Sequence, residues 1–191
     1  MNALGHRVVL GPDSIPKEVL ERGRDEYLGE RDPDALEWRY FEIPVNLTID
    51  GTCLTEYADG SPIELPAVFW VCAVARATAQ CAVEGRSEID MDFAGGDRLS
   101  FELRGEDADL SRFGHDARAS VSLTLLRDEA VRVLENVRLQ LRQSLPELEA
   151  DLSLTQGSNN WLHVGPDFWF RHGRIVFGWR KNASQRDAGG G

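Results

Sequence analysis

The clearest pattern in the chain is the alternation of apolar and polar residues in "FEIPVNLTID", residues 41–50. Every odd-numbered position is apolar, which is the two-residue period of a strand with one buried face. Pro44 lacks a backbone N–H and therefore favours an edge position. The dipeptide Asp50-Gly51 is a strong signal for a two-residue turn. The segment predicts one strand that forms a hairpin with "TCLTEY".

Three other segments have the patterns of helices. "DSIPKEVLERGRDEYLGE" offers Ser14 as an N-cap, which predicts a charged surface helix ending near residue 28. "LPAVFWVCAVARATAQCAV" is long enough for a membrane span, but Arg76 and Gln80 interrupt it, so we expect a buried core helix. A third helix, capped by Asp128, carries an apolar stripe formed by Ala130, Leu134, Val137, Leu141 and Leu145.

The remaining alternating segments predict further strands. "SEIDMDF" and "RLSFEL" lie on either side of a glycine-rich turn and predict a second hairpin. In "RGEDADLSRFGHDAR" we expect a loop with a short strand near residues 110–113, and in "ASVSLTL" another strand. "FWFRHGRIVFGW" predicts a final hairpin that turns at His172-Gly173.

The short connections between these strands favour a single α+β domain over residues 1–181. We expect a mainly antiparallel sheet with about three helices packed on it. Residues 182–191, "NASQRDAGGG", have almost nothing to bury and are expected to form a mobile tail.

The charge of the chain limits its partners. The net charge is −11, from 32 acidic and 21 basic residues. An acidic body repels nucleic acids and anionic membrane surfaces, which are themselves polyanions. We therefore expect no nucleic acid and no membrane as partner, and instead a basic protein. Of the basic residues 19 are Arg and two are Lys, a usage typical of high-GC bacterial genomes.

The three cysteines, Cys53, Cys72 and Cys81, have no metal-ligand spacing. Cys72 and Cys81 share one predicted helix, where their Cα atoms would lie about 13 Å apart, too far for a disulfide. The N-terminal "MNALGHRVVLGPD" has no apolar run of the kind found in signal peptides. These features predict reduced thiols and a cytoplasmic protein.

The acidic residues of "SEIDMDF" raise the main functional question. Glu88, Asp90 and Asp92 project from one side of the predicted strand, and Asp90 and Asp92 have a spacing by which carboxylates hold a divalent cation. However, the glycine-rich phosphate-binding turns that accompany many such sites are absent from the sequence. A solvated strand face also needs polar residues. We expect an acidic docking face without a cofactor, extended by Asp107 and Asp109 in a nearby loop.

Other candidate chemistry is weaker. The sequence has no G-x-S-x-G nucleophile motif, and no cysteine has a local catalytic signature. His163, Asp167 and His172 could together hold a metal, although His172 is better explained as a turn residue. The basic and aromatic segment 167–181 could bind single-stranded nucleic acid, but the charge of the chain favours a core hairpin instead. Within that segment Trp169 is a candidate interface anchor.

The order "FEIPVNLTIDG", apolar helix, "RLSFEL" and "ASVSLTLLRDEAVRVLENV" over residues 38–148 resembles small acidic α+β proteins of bacteria. These are the immunity partners of polymorphic toxins and related actinobacterial families. The resemblance implies stoichiometric inhibition of a toxin, often a basic nuclease, by covering its active site. It lies in size, charge and element order, so it assigns no functional residue.

Two hypotheses therefore remain open at the level of the sequence. The first is a non-catalytic binding protein that docks a basic partner through an acidic surface. The second is a small divalent-cation-dependent enzyme that uses Asp90 and Asp92. Converging carboxylates in a pocket would favour the enzyme, and a flat or convex acidic surface would favour the binding protein. The sequence contains no signal for the oligomeric state.

Overall fold

A computed structural model describes residues 7–32, 35–36, 39–57, 59–91, 96–147 and Phe170 of the chain. Within these residues three helices and nine strands confirm the α+β class. In chain order the elements are β1 (Val8–Gly11), α1 (Lys17–Glu30), β2 (Glu42–Pro44), β3 (Asn46–Ile49), β4 (Thr52–Cys53), β5 (Glu64–Pro66), α2 (Ala67–Glu84), β6 (Arg86–Asp90), β7 (Arg98–Arg104), β8 (Asp107–Arg112), β9 (Arg118–Ser122) and α3 (Leu123–Ser144).

The described strands form three antiparallel ladders, β1-β3-β4, β2-β5 and β6-β7-β8-β9. The alternating segment predicted as one strand is divided at Val45, because β2 pairs with β5 whereas β3 pairs with β1 and β4. Its apolar side chains are all buried, as the alternation predicted. The turn at Asp50-Gly51 is confirmed, since both residues have positive φ and Ile49 pairs with Thr52.

Helix α2 lies at the centre of the core. Its side chains are buried almost all the way round from Ala67 to Cys81, and Gly85 ends it in the left-handed conformation, with φ of 78°. The helix packs against α3, β5, β6 and β7. It is the one described helix that is long and apolar enough to cross a membrane, and 72% of that stretch is buried inside the protein, as expected of a core helix.

Helix α3 presents the predicted apolar stripe to the core, and all five of its residues are buried. The predicted start of this helix at Asp128 was wrong, because the helix begins at Leu123. The alternation of apolar and polar residues in "ASVSLTL" continues past the end of β9. It therefore conceals the point at which the strand ends and the helix begins. In the structure Leu126 is buried whereas Leu125 is 40% exposed, which is helical rather than strand spacing.

Strand β8 corrects the prediction of a loop between β7 and β9. Gly105, with φ of 69°, makes a tight turn, and β8 then pairs with β7 along its whole length and with β9 from Asp107 to Ser111. The strand was missed because its inward-facing positions are Ala108, Leu110 and Arg112, so that a charged residue interrupts the apolar alternation. The correction places Asp107 and Asp109 in a strand rather than in a loop.

Polar side chains of α2 and α3 hold the N-terminal segment in place. Gln140 accepts a hydrogen bond from the backbone N–H of Ile15 at 2.7 Å and donates one to its carbonyl oxygen at 2.6 Å. Glu129 accepts from the N–H of Leu10, and Trp70 donates to the carbonyl of Gly11 at 2.8 Å. These bonds give backbone groups of the N-terminal segment polar partners on α2 and α3.

The structure also describes the three cysteines and one residue of the C-terminal segment. None of the three cysteines forms a disulfide; Cys72 and Cys81 are buried and Cys53 is half-buried. In the C-terminal segment only Phe170 is described; it is helical, so a strand at that position was wrong. Its ring is partly buried against the core, as expected. The rest of the final hairpin and the tail lie outside the described residues.

We predict that Leu141→Ala lowers the free energy of unfolding by about 2–5 kcal/mol, because it removes fully buried apolar volume from α3. Leu139→Ala is the matched control, since Leu139 is 45% exposed on the same helix and its truncation should change stability by about 0.5 kcal/mol or less. Urea denaturation of both variants measures the difference. Equal midpoints would contradict the packing of this stripe.

Candidate protein-binding surfaces

The outward side of the four-stranded sheet carries charges of both signs in register. We call it the mixed-charge face, with Arg86, Glu88, Asp90, Arg98, Glu102, Arg104, Asp107, Asp109 and Arg118 as its charged residues. The face follows from strand alternation, because the positions between these residues point into the core. Five acidic residues against four basic ones leave the face nearly neutral.

Arginines of β7 neutralise the carboxylates on both neighbouring strands. Arg98 lies 3.6 Å from Glu88 and 3.2 Å from Asp90. Arg104 lies 3.0 Å from Glu102 and 3.7 Å from Asp109. Each pair is well exposed and adds little to stability. Together they cancel much of the charge from which the sequence predicted an acidic docking face.

The structure therefore brings four of the six predicted partner-binding residues together. Glu88, Asp90, Asp107 and Asp109 share the mixed-charge face. Asp92 and Trp169 lie outside the described residues. Among the residues with described positions, no group of three His, Cys, Asp or Glu side chains is placed to hold a metal ion.

A groove of about 220 Å³ lies between α2 and α3. Apart from Arg127, the side chains that line it are threonines, small or aliphatic residues and the ring of Phe170. The guanidinium of Arg127 lies over this ring, 5.2 Å from its centre. Among the described residues the lining contains no carboxylate, histidine or cysteine.

Uncompensated negative charge lies elsewhere, in a stretch that contains no Lys or Arg between Arg39 and Arg76. Strands β2 and β5 pair there, and a third extended segment continues the ladder, because Ile63 accepts a hydrogen bond from Val45 and donates one to Thr55. We call the outward side of this small sheet the acidic ribbon. Its exposed charged side chains are Glu42, Glu56 and Glu64.

The carboxylates of the acidic ribbon form no ion pair with any residue in the described regions, in contrast to those of the mixed-charge face. Asp59 adds a further charge in the adjoining turn. The hydroxyl and backbone N–H of Ser61 both donate to its carboxylate, which keeps the pKa of Asp59 below its usual value. The lowered pKa keeps the Asp59 carboxylate ionised at neutral pH.

A buried arginine ties the acidic ribbon to the four-stranded sheet. The side chain of Arg112 is 1% exposed and makes a two-pronged ion pair with Asp97, with the Nε–Oδ1 distance at 2.8 Å. Its third donor binds the backbone carbonyl of Glu56. The ring of Tyr57 stacks over the guanidinium, 5.5 Å from ring centre to Cζ, and remains 46% exposed.

Sequence reasoning missed both the acidic ribbon and its anchor. The missing bases between residues 39 and 76 were a readable signal for the ribbon. Arg112 could have been found only by recognising β8, because an arginine at an inward strand position requires a buried partner. The partner, Asp97, directly precedes β7, and no local pattern reveals that it lies next to Arg112.

No protein-family model, no curated protein and no solved structure matches this chain.

We predict that Arg112→Met destabilises the protein by about 3 kcal/mol or more, because Asp97 loses its ion pair in a largely buried position. Hydrogen exchange should also accelerate in residues 54–57, which lose their tether to Arg112. The control is Arg98→Met, which removes an exposed arginine with two carboxylate partners and should cost about 1 kcal/mol or less. Similar costs for both variants would contradict the anchoring role.

We predict that calorimetric titration with Mg²⁺, Mn²⁺ or Ca²⁺ gives no saturable binding, because Arg98 already neutralises Asp90. The control is the double variant Asp90→Asn and Asp92→Asn, whose heat trace should match that of the unaltered chain. Tight binding of one of these cations, lost in the double variant, would restore the hypothesis of a cation-dependent enzyme.

Proposed function

We propose that this protein is a non-catalytic binding protein that docks a basic protein partner through the acidic ribbon. The supporting observation is the contrast between two surfaces of one acidic chain. On the mixed-charge face arginines compensate most carboxylates, whereas Glu42, Glu56 and Glu64 are exposed and form no ion pair with any described residue. Uncompensated charge attracts an oppositely charged partner over a longer range than charge already paired in place.

The acidic ribbon has a second property of an interface. Tyr57 directly follows Glu56 in the chain, is 46% exposed and is held in position by Arg112. Tyrosine is enriched among the residues that dominate binding energy, because it buries a large area at a small cost in side-chain entropy. In this proposal the ring supplies affinity and the carboxylates speed the encounter.

The proposed partner is a basic protein, and the proposed role of this chain is to inhibit it. The resemblance to immunity proteins in size, charge and element order supports the same reading. An acidic protein that covers the cationic substrate-binding surface of a nuclease would exclude the nucleic acid by competition for the same charges. In this proposal both proteins meet in the cytoplasm of a bacterium.

The test begins with affinity capture from the native host at low salt, followed by identification and purification of the captured protein. Association with the triple variant Glu42→Gln, Glu56→Gln and Glu64→Gln should be about tenfold or more slower than with the unaltered chain. The difference should shrink as salt rises, because screening sets in over about 8 Å at physiological ionic strength. Surface plasmon resonance at several salt concentrations measures both effects.

The matched control is the triple variant Glu102→Gln, Asp107→Asn and Asp109→Asn. It makes the same change in net charge on the mixed-charge face. We expect a small change in association rate from this control, and Tyr57→Ala should accelerate dissociation. Equal slowing by both triple variants would mean that net charge, and not the acidic ribbon, drives binding. An acidic captured partner would overturn the proposal.

A further inference from the structure

Strand β6 (Arg86–Asp90) lies at the edge of the four-stranded sheet. Hydrogen bonds at either end of the strand show which of its residues bond to β7. Leu103 donates to the carbonyl of Gly85 at 2.8 Å, and Met91 donates to that of Asp97 at 2.8 Å. In an antiparallel pair alternate residues bond to the same neighbour, so odd-numbered residues of β6 bond to β7. The backbone N–H and C=O groups of Arg86, Glu88 and Asp90 therefore point away from the sheet.

These outward backbone groups have no hydrogen-bond partner in the part of the chain that the structure describes. Helix α2 covers the inner face of the strand instead, where Ser87 donates to the carbonyl of Ala77 at 2.6 Å. β6 contains no proline, one of the devices that prevent pairing at a sheet edge. Among the described residues, the outward backbone groups of β6 are therefore available to pair with another strand, and its charged side chains are the feature that opposes unspecific pairing.

We propose that β6 pairs with β6 of a second copy of this chain, antiparallel about a two-fold axis through Glu88. On this axis Arg86 faces Asp90 of the second copy, and Asp90 faces Arg86. This register is compatible with hydrogen bonding, because the residues that face each other, Arg86, Glu88 and Asp90, are those whose backbone N–H and C=O groups point away from β7. Each copy supplies the same patch, so the contact closes at a dimer and joins two four-stranded sheets into one.

Charge complementarity favours a second copy over an unrelated strand. Two Arg86–Asp90 pairs form across the axis, and Arg86 has no ion-pair partner in the described regions of its own chain. Glu88 meets its own copy, which is unfavourable for directly opposed like charges. Arg98, 3.6 Å from Glu88 in each copy, reduces this repulsion. The sequence of charges in β6 is therefore largely self-complementary.

A contact between two five-residue strands is small compared with the roughly 1,600 Å² of a standard interface, so we expect a weak dimer. Sedimentation velocity from about 10 μM to about 1 mM protein should show concentration-dependent dimerisation. This range reaches the millimolar dissociation constants expected of a weak dimer. The experiment uses the full chain alone, so it does not depend on the proposed partner or on the acidic ribbon. A monomer at every concentration would overturn the proposal.

Charge exchange provides the sharpest test. Arg86→Asp places two acids opposite each other at both ends of the contact, and Asp90→Arg places two bases there, so each variant alone should be monomeric. Mixed in equal amounts they restore both opposite-charge pairs, and the mixture should dimerise. Failure of the mixture to associate, or dimerisation of either variant alone, would contradict the antiparallel register.

A pair of variants at Glu88 tests the backbone contact. Glu88→Pro removes an N–H that points away from β7, so it should abolish dimerisation while leaving the fold measured by circular dichroism unchanged. Glu88→Ala retains the N–H and removes the opposed charge, and should dimerise at least as strongly as the unaltered chain. Dimerisation of the proline variant, or its loss in the alanine variant, would contradict strand pairing. The charge-exchange mixture decides the question if the proline variant does not fold.

Discussion

The burial of α2 is the constraint on which the rest of the structure depends. A helix that is apolar on every side must be covered on every side, because each exposed apolar face would lose the free energy of its transfer from water. The inner face of the four-stranded sheet covers one side of α2 through β6 and β7, α3 covers another, and β5 leads directly into it. The other strands and helices are arranged around this requirement, and their outer surfaces are what remains for binding.

Polar contacts then fix how the covering layers meet. Gln140 and Glu129 of α3 and Trp70 of α2 bind backbone groups of the N-terminal segment, and Arg112 joins the four-stranded sheet to the acidic ribbon. Such bonds add modest net stability when made, but a buried polar group left without its partner is costly. They therefore select one arrangement of layers among several with similar apolar burial. The position of Tyr57 at the surface follows from one of these contacts.

The distribution of charge separates surfaces that the net charge of −11 does not distinguish. Register places Arg98 and Arg104 of β7 between the acidic residues of β6 and β8, so the carboxylates of that sheet are largely compensated. Glu42, Glu56 and Glu64 form no ion pair with any described residue, and the sequence contains no Lys or Arg from residue 40 to residue 75. The mixed-charge face is therefore nearly neutral and the acidic ribbon negative, although both belong to one acidic chain.

Local patterns alone determined the period-two burial of residues 41–49, the turn at Asp50-Gly51, the core helix α2 and the apolar stripe of α3. Each depends on the alternation of side chains along one element and on no distant contact. They left undetermined the division of residues 41–49 between two ladders, the pairing of β8 and the burial of Arg112, because these depend on which strands become neighbours. For the candidate site the sequence supplied the carboxylates of β6 and β8, but only the tertiary structure decided that arginines of the intervening strand neutralise them. Electrostatic compensation acts across strands, and sequence spacing carries no information about the residue opposite.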